Sequence, residues 1–268
     1  MQATSSLNDI EGFLDRIDKN PDADYVVHER LEPKFPIHRH RKGQLTYVEG
    51  GMTYIHTSHE IYFLPARHYV WIPAHLDHFV EHRSHAYMVR NVYFHRDEGH
   101  DHPFFSQMGI YPISNLLLEM LYFTEKWQGE VLPGDDRSQF LKTIKLLLPQ
   151  VSLHPLPVVL PTTNHQRLEP VIQYIHQNME APLTLPQIAE EFGFSVRSLS
   201  RLFQQKLGIS FLQYLKLFRI IKGMEALLQT DKSISEIAFE VGYNSLSAFS
   251  NTFYQLLHVR PAEFRHMR

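Results

Sequence analysis

Ser233-Ile-Ser-Glu-Ile-Ala-Phe-Glu-Val-Gly-Tyr-Asn-Ser-Leu-Ser-Ala-Phe-Ser-Asn-Thr-Phe253 decides the fold of the C-terminal part of the chain. Ser233 followed three residues later by Glu236 has the form of a capping box, which predicts a helix start. Ile234, Ile237, Ala238 and Val241 then share one helical face. Gly242 is the residue type that ends a helix in the left-handed conformation. Asn244 or Ser245 is placed to cap a second helix, in which Leu246, Phe249 and Phe253 are spaced to bury one stripe. Two short helices around a Gly turn make a helix-turn-helix, the unit whose second helix enters a DNA major groove.

The pattern occurs once before. Thr184 and Gln187 form a second capping-box pair, and Ile188-Ala189 followed by Gly193-Phe194 matches Ile237-Ala238 followed by Gly242-Tyr243 at an offset of 49 residues. A helix from Ser195 to about Lys206 follows, with Leu199, Leu202 and Phe203 as its apolar side and Gly208 at its end. Between the copies, residues 211–228 read as one long amphipathic helix. A repeat joined by a helix is far more specific than a single match.

Ile237-Ala-x-x-Val-Gly-Tyr243, Phe249-Ser-x-x-Phe253 and Val259-Arg-Pro-Ala-Glu-Phe-Arg265 resemble the signature of the AraC/XylS family of bacterial transcription regulators. The likeness covers about residues 165–268 and implies sequence-specific DNA binding. Two positions depart from the family pattern: His258 stands where Gly often ends the second reader helix, and Asn251 where a basic residue is common. The DNA-facing candidates on the first reader helix are Arg197, Ser200, Arg201 and Gln204, which share a face opposite its apolar side. Arg suits guanine and Gln suits adenine. The matching candidates on the second are Leu246, Ser247, Ser250 and Asn251, while Ser195 and Ser245 sit at helix starts where backbone N–H groups bind phosphate. The expected partner is a double-stranded DNA operator, with RNA polymerase added if the chain activates.

Bulk charge adds little. Residues 162–268 carry 11 Lys/Arg against 9 Asp/Glu, a balance of +2 within a chain whose net charge is −3. The electrostatic case rests on placement, with Arg197, Arg201 and Lys206 on one helix and Arg219 and Lys222 on the connecting one. At 268 residues the chain is long enough for two domains. No apolar run approaches the roughly 18 residues of a membrane helix, no secretion signal is visible, and the absence of cysteine fits a reducing compartment, so a cytoplasmic location is expected.

Thirteen of the 18 histidines lie in residues 1–102. That region reads as short β-branched and aromatic runs at 25–28, 43–49, 52–56, 60–64, 69–72, 78–81 and 87–94, which suggests a sandwich or barrel. Phe35-Pro-Ile-His38-Arg-His40-x-x-x-Gln44 and Trp71-Ile-Pro73-x-x-x-x-His78 resemble the two half-motifs of a cupin barrel. Residues two apart on a strand face one way, so His38 and His40 can point together. With Gln44 and His78 they offer three imidazoles and an amide, a set that suits Zn²⁺, Fe²⁺, Mn²⁺ or Ni²⁺. Metal-binding cupins usually carry Glu at the position of Gln44. The same groups, together with Tyr47, also suit an organic effector, or they satisfy one another. Trp71 reads as core, Arg39-His-Arg-Lys42 as a solvated loop, and His75, His82, His85, His95, His100 and His102 as mostly exposed.

Residues 113–127 and 138–148 read as amphipathic helices, the first burying Leu116, Leu117, Met120, Leu121 and Phe123 and the second Phe140, Ile144, Leu147 and Leu148. Such stripes need a partner, either the barrel or the same helices of a second copy in a homodimer. The expected architecture is α+β with two domains: a cupin-like barrel and its helices over 1–148, a Pro-rich linker over 149–163, and an all-α double helix-turn-helix over 164–268. No nucleophile triad, phosphate-cradling Gly loop or paired carboxylate stands out, and the resemblance to AraC/XylS regulators implies ligand-responsive transcription regulation, not catalysis. A cupin-type metalloenzyme fused to a DNA-binding tail, and a barrel used only for dimerisation, are the alternatives.

Overall fold

The computed structural model describes residues 7–29, 36–82, 88–96 and 102–267. Phe35, His85, Tyr87 and His100, singled out above, lie outside the described residues. The chain divides into two compact units, Met1–Thr57 with Leu64–Leu156, and Ser58–Phe63 with Pro157–Arg268.

In the first unit, helix α1 (Leu7–Asp18) precedes strands β1 (Asp24–Glu29), β2 (Gly43–Val48) and β3 (Met52–Thr57). Strand β4 (Glu60–Pro65) is followed by β5 (His68–Ile72), β6 (His78–His82), β7 (Val89–Phe94), a 3-10 turn (Pro103–Ser106) and β8 (Gly109–Pro112). Helix α2 (Asn115–Phe123), β9 (Gly129–Val131) and helix α3 (Asp136–Val151) come next. One sheet runs β8-β5-β2-β7-β1-β9, with all its pairs antiparallel. Strand β3 pairs with β6.

The seven predicted strand runs are present to within about two residues at each end, whereas α1, β8 and β9 were not read from the sequence. The strands form open sheets, not the closed barrel expected. Strands β8 and β9 are edges of the large sheet, and Leu117, Leu121, Leu141, Ile144 and Leu148 of α2 and α3 give one face the apolar cover that closure would otherwise supply.

Strand parity gives this sheet two different faces. Leu45, Tyr47, Tyr69, Trp71, Val92 and Phe94 belong to the core under α2 and α3. Gln44, Thr46, Asn91 and Tyr93 occupy the alternate positions, where Tyr93 and Val27 meet Phe13 and Ile17 of α1. Leu116 and Phe123, expected in the core, are exposed at 57% and 66%, because the register of α2 turns Leu117 and Leu121 inward instead. In α3 the inward set is Leu141, Ile144 and Leu148. Pro149 lies inside that helix and Val159–Pro161 forms a strand, β10, which pairs with β4, so the expected linker is irregular chiefly over 152–158. Lys42, read above as solvated, is buried, and its ammonium is held by the Asn20 carbonyl at 2.6 Å and by the Ala23 carbonyl.

The second unit continues with α4 (Glu169–Gln177), α5 (Leu185–Glu191), α6 (Val196–Leu207), α7 (Phe211–Gln229), α8 (Ile234–Glu240), α9 (Leu246–Leu257) and α10 (Pro261–Arg265). The repeat is visible in the hydrogen bonds. Phe194 N–H donates to the Ala189 carbonyl at 2.7 Å, and Tyr243 N–H to the Ala238 carbonyl at 2.9 Å. Gly193 and Gly242 have φ of 65° and 84°, the left-handed conformation the turn demands. Helices α5 and α8 start 49 residues apart but α6 and α9 start 50 apart, so the second turn is one residue longer. Ser233 and Glu236 form the predicted capping box, as do Ser210 and Gln213 at the start of α7. Thr184 does not, because its hydroxyl donates to the Gln187 side chain instead.

Helix α7 ties the two copies together. Arg219 donates from Nε to the Met179 carbonyl at 2.9 Å and from Nη2 to the Ala181 carbonyl at 2.7 Å, both in the connection before α5. The same guanidinium lies beside the turn of the second copy, 6.0 Å from the Tyr243 ring centroid. A Cβ on Gly242 would collide with the Met179 carbonyl oxygen and the Arg219 guanidinium. Arg219 is therefore an internal clamp and not the DNA-facing charge expected, and Lys222 is paired with Glu225 at 2.7 Å. His176 of α4 stacks on Phe218 of α7 at 4.0 Å and meets the Tyr214 hydroxyl at 2.9 Å. Burial, and next the Lys222 charge, push its pKa down to about 4.

Two predictions follow from this packing. Gly242→Ala combines left-handed strain with a backbone collision and should lower stability by more than about 2 kcal/mol, whereas Gly193→Ala, with open space around the added methyl, should cost only ~1 kcal/mol; urea unfolding of the two variants compares them. Because folding holds His176 neutral, its contribution is complete above the unfolded pKa near 6.5 and is lost as pH falls toward about 4. His176→Gln should flatten the pH dependence of the unfolding midpoint across that window.

Candidate nucleic-acid interface and histidine cluster

Each reader helix is built to expose one face. In α6, Leu199, Phe203 and Leu207 are buried, which leaves Ser195, Arg197, Ser200, Arg201 and Gln204 exposed on the remaining arc. Ser195 caps the helix by accepting from Ser198 N–H at 3.1 Å. Gln204 donates to the Gly208 carbonyl at 2.9 Å, so reading a base would cost it that bond.

In α9, Phe249, Phe253 and Leu257 are buried, while Ser245, Leu246, Ser247 and Asn251 are exposed and Ser250 is half-buried. Leu246 is 42% exposed and does not belong to the buried stripe expected of it. Ser245, not Asn244, is the cap and accepts from Ala248 N–H at 3.2 Å. The α9 face carries a cation that sequence reading missed. Arg260 donates from Nη1 to Asn251 Oδ1 at 3.3 Å and lies 4.5 Å from the Tyr254 ring centroid. Nine residues separate Arg260 from Asn251, and only the reversal at His258 brings them together. His258 has φ 57°, in the left-handed conformation that Gly208 adopts at the end of α6.

The three predicted imidazoles do converge. His38 and His78 are opposed in an antiparallel bridge, exchanging N–H···O bonds of 3.0 and 2.9 Å, and His75 N–H donates to the His40 carbonyl at 2.8 Å. The ring centroids of His38 lie 4.5 Å from His78 and 6.2 Å from His40, and those of His40 and His78 are 5.2 Å apart. One nitrogen from each ring falls within 4.8 Å of the others.

The second nitrogens are equally ordered. Each Nδ1 faces a backbone carbonyl: Pro36 at 3.0 Å from His38, Lys42 at 2.6 Å from His40, and Leu76 at 2.9 Å from His78. Carbonyls only accept, so each Nδ1 carries the proton and each neutral ring keeps its lone pair on Nε2. His78 Nε2 is buried with no hydrogen-bond partner. Burial and the two neighbouring rings push the His78 pKa down to about 3, and burial lowers that of His40.

Gln44 Oε1 lies 2.9 Å from His40 Nε2. In the neutral ring that burial favours, this nitrogen is an acceptor, and the amide satisfies it by presenting its NH₂. The other end of the amide, then its oxygen, lies 2.8 Å from the Thr46 hydroxyl and 3.1 Å from the Asn91 amide, which must turn with it so that Asn91 donates. Gln44 is thus the partner of His40, not a fourth free donor. Tyr47 lies on the opposite side of β2 from Gln44, in the core, so parity removes it from the cluster.

Residues 188–267 match the family model described as a helix-turn-helix domain. An uncharacterized HTH-type transcriptional regulator of Staphylococcus aureus (strain MSSA476) is 31% identical over 102 residues, 38% of this chain and 14% of that protein. The uncharacterized HTH-type transcriptional regulator YfiF of Bacillus subtilis (strain 168) is 32% identical over 152 residues, 56% of this chain and 47% of that protein. The chain therefore spans less than half the length of either relative. Among solved structures, the C-terminal domain of AraT, a response regulator from Geobacillus stearothermophilus, aligns with 40% of this chain and 89% of its own, at 36% identity and a TM-score of 0.39. Residues 188–267 of this chain are a helix-turn-helix domain.

Proposed function

We propose that the protein is a sequence-specific DNA-binding transcription regulator whose N-terminal unit responds to a small molecule. The observation that carries the reading is the pair of exposed polar faces on α6 and α9, each backed by a buried apolar stripe and preceded by a turn with a left-handed Gly. Arg197 and Arg201 contact bases or phosphates from the first helix, and Asn251 with Arg260 from the second. Ser195, Ser245 and the backbone N–H groups at the two helix starts take phosphates. Homodimerisation through α2 and α3 fits the exposure of Leu116, Phe123 and Leu146, with Trp127 and Phe140 packed against Phe123 at 5.9 and 4.9 Å. The reading places the chain in the cytoplasm and assigns it no catalytic step; RNA polymerase is a partner if it activates. Arg201→Ala should weaken specific binding by ~1–3 kcal/mol in a gel-shift titration at constant salt against a selected operator. Unchanged affinity would remove Arg201 from the interface.

A second reading concerns the histidine cluster. His38, His40 and His78 hold a divalent ion such as Zn²⁺, Fe²⁺, Mn²⁺ or Ni²⁺, with Gln44 withdrawing from His40 Nε2 to leave its lone pair to the ion. It is favoured by the pairing of every Nδ1–H with a carbonyl, the outer arrangement that orients metal-bound imidazoles. Elemental analysis of the purified full chain should find about one ion per chain, and His78→Gln should lose it while keeping the unfolding cooperative. A metal-free wild type that stays empty after incubation with each ion would contradict the reading.

A further inference from the structure

The two reader helices match at an offset of 50 residues. Helix α6 starts at Val196 and α9 at Leu246, and buried Leu199, Phe203 and Leu207 correspond to Phe249, Phe253 and Leu257. On the exposed face the same offset sets Arg201 against Asn251 and, past each helix end, Ser210 against Arg260. The two exchanges compensate. Arg260 donates from Nη1 to Asn251 Oδ1 at 3.3 Å and lies 4.5 Å from the Tyr254 ring centroid, and all three residues are exposed. A cation thus returns to the station on α9 that Arg201 holds on α6. The arrangement also breaks a local rule. Ser210 caps α7 by accepting from Gln213 N–H at 3.2 Å, whereas an arginine has no acceptor and Arg260 makes no side-chain cap. Arg260 forgoes the bond its position favours and reaches back nine residues to the reader face, which marks a role other than holding the fold.

We infer that Asn251 and Arg260 act as one unit that reads a guanine in the major groove, at the place in its half-site that corresponds to the one read by Arg201. The inference rests on the DNA-binding reading above and names the base that the second helix selects. Alone, an asparagine suits adenine, donating to N7 and accepting from the N6 amino group. Here the amide oxygen already holds an N–H of Arg260, and because an arginine carries only donors, the partner fixes which end of the amide is oxygen. A cation on that oxygen disfavours the approach of adenine's amino group. The donors left over are Asn251 Nδ2–H and the remaining guanidinium N–H groups, and guanine offers two acceptors, O6 and N7, to match them. The Tyr254 ring restrains the guanidinium before DNA arrives, which lowers the ordering cost of binding.

The test is an operator selected from random DNA by the wild-type full chain, followed by anisotropy titrations of single base-pair variants at constant salt. Selection should return guanine at matching positions of two half-sites one helical turn apart. Replacing the guanine under α9 by adenine should weaken binding about tenfold, and 7-deazaguanine, which lacks only the N7 acceptor, should account for part of that loss. Arg260→Ser installs the residue type that caps α7 at Ser210, so the thermal midpoint should hold. It also frees the Asn251 oxygen, so the preference at that position should turn from guanine toward adenine. Asn251→Ala, at an exposed helical site, is the independent variant and should cut the guanine preference as well; the double variant should prefer neither base. Adenine selected by the wild type, or a guanine preference that Arg260→Ser leaves unchanged, would overturn the inference. So would a uniform loss across all operators with the salt slope lower by about one, the mark of a phosphate contact. Each of those results leaves the DNA-binding reading standing, whereas a wild type that selects no sequence at all would sink both.

Discussion

The clamp made by Arg219 is the constraint on which the helical unit depends. One guanidinium on α7 closes two carbonyls of the segment leading into α5 and at the same time packs against the turn between α8 and α9. Those carbonyls precede the first helix-turn-helix and that turn belongs to the second. Gly242 is required twice over, once for its backbone conformation and once because no side chain fits between Met179 and Arg219. Burial lowers the Arg219 pKa, yet a guanidinium is not deprotonated in proteins, so the clamp stays charged. Gly223 completes the joint, since Phe249 of α9 sits where its side chain would be. The spacing between the reader helices is thus set by packing against a single rigid helix.

How much of this was legible in the sequence follows from the range of the forces involved. The repeat, the turns at Gly193 and Gly242 and the box at Ser233 are local, and short-range chemistry wrote them plainly. Seven strands could be read because alternation and β-branching are local as well. The double role of Arg219 could not be read, because its partners lie 38 and 40 residues away. The same holds for Arg260, which joins the α9 face only after the chain reverses at His258. Leu116 and Phe123 were assigned inward on spacing alone, and helix register, which tertiary contact decides, turned them out; Leu246, counted both in the buried stripe and on the exposed face, is exposed.

In the first unit the instructive error concerns faces. The spacing of His38 and His40, and the bridge to His78, brought three imidazoles together as expected. Tyr47 was grouped with them across an odd number of strand positions, and a one-residue step on a strand reverses the side chain. The same parity carries Trp71 and Phe94 to the face that holds a cavity. The sheet therefore separates a neutral, carbonyl-ordered histidine cluster from an aromatic-walled cavity.

The most direct test of the account is a hydroxyl-radical footprint of the full chain on an operator selected from random DNA. Two reader helices held by one spacer predict two protected stretches on a single DNA face, centred about 34 Å apart. Insertion of five base pairs between them should then abolish protection of one stretch while leaving the other. A single protected stretch on the parent operator, or two that both persist after the insertion, would contradict a rigid two-helix grip.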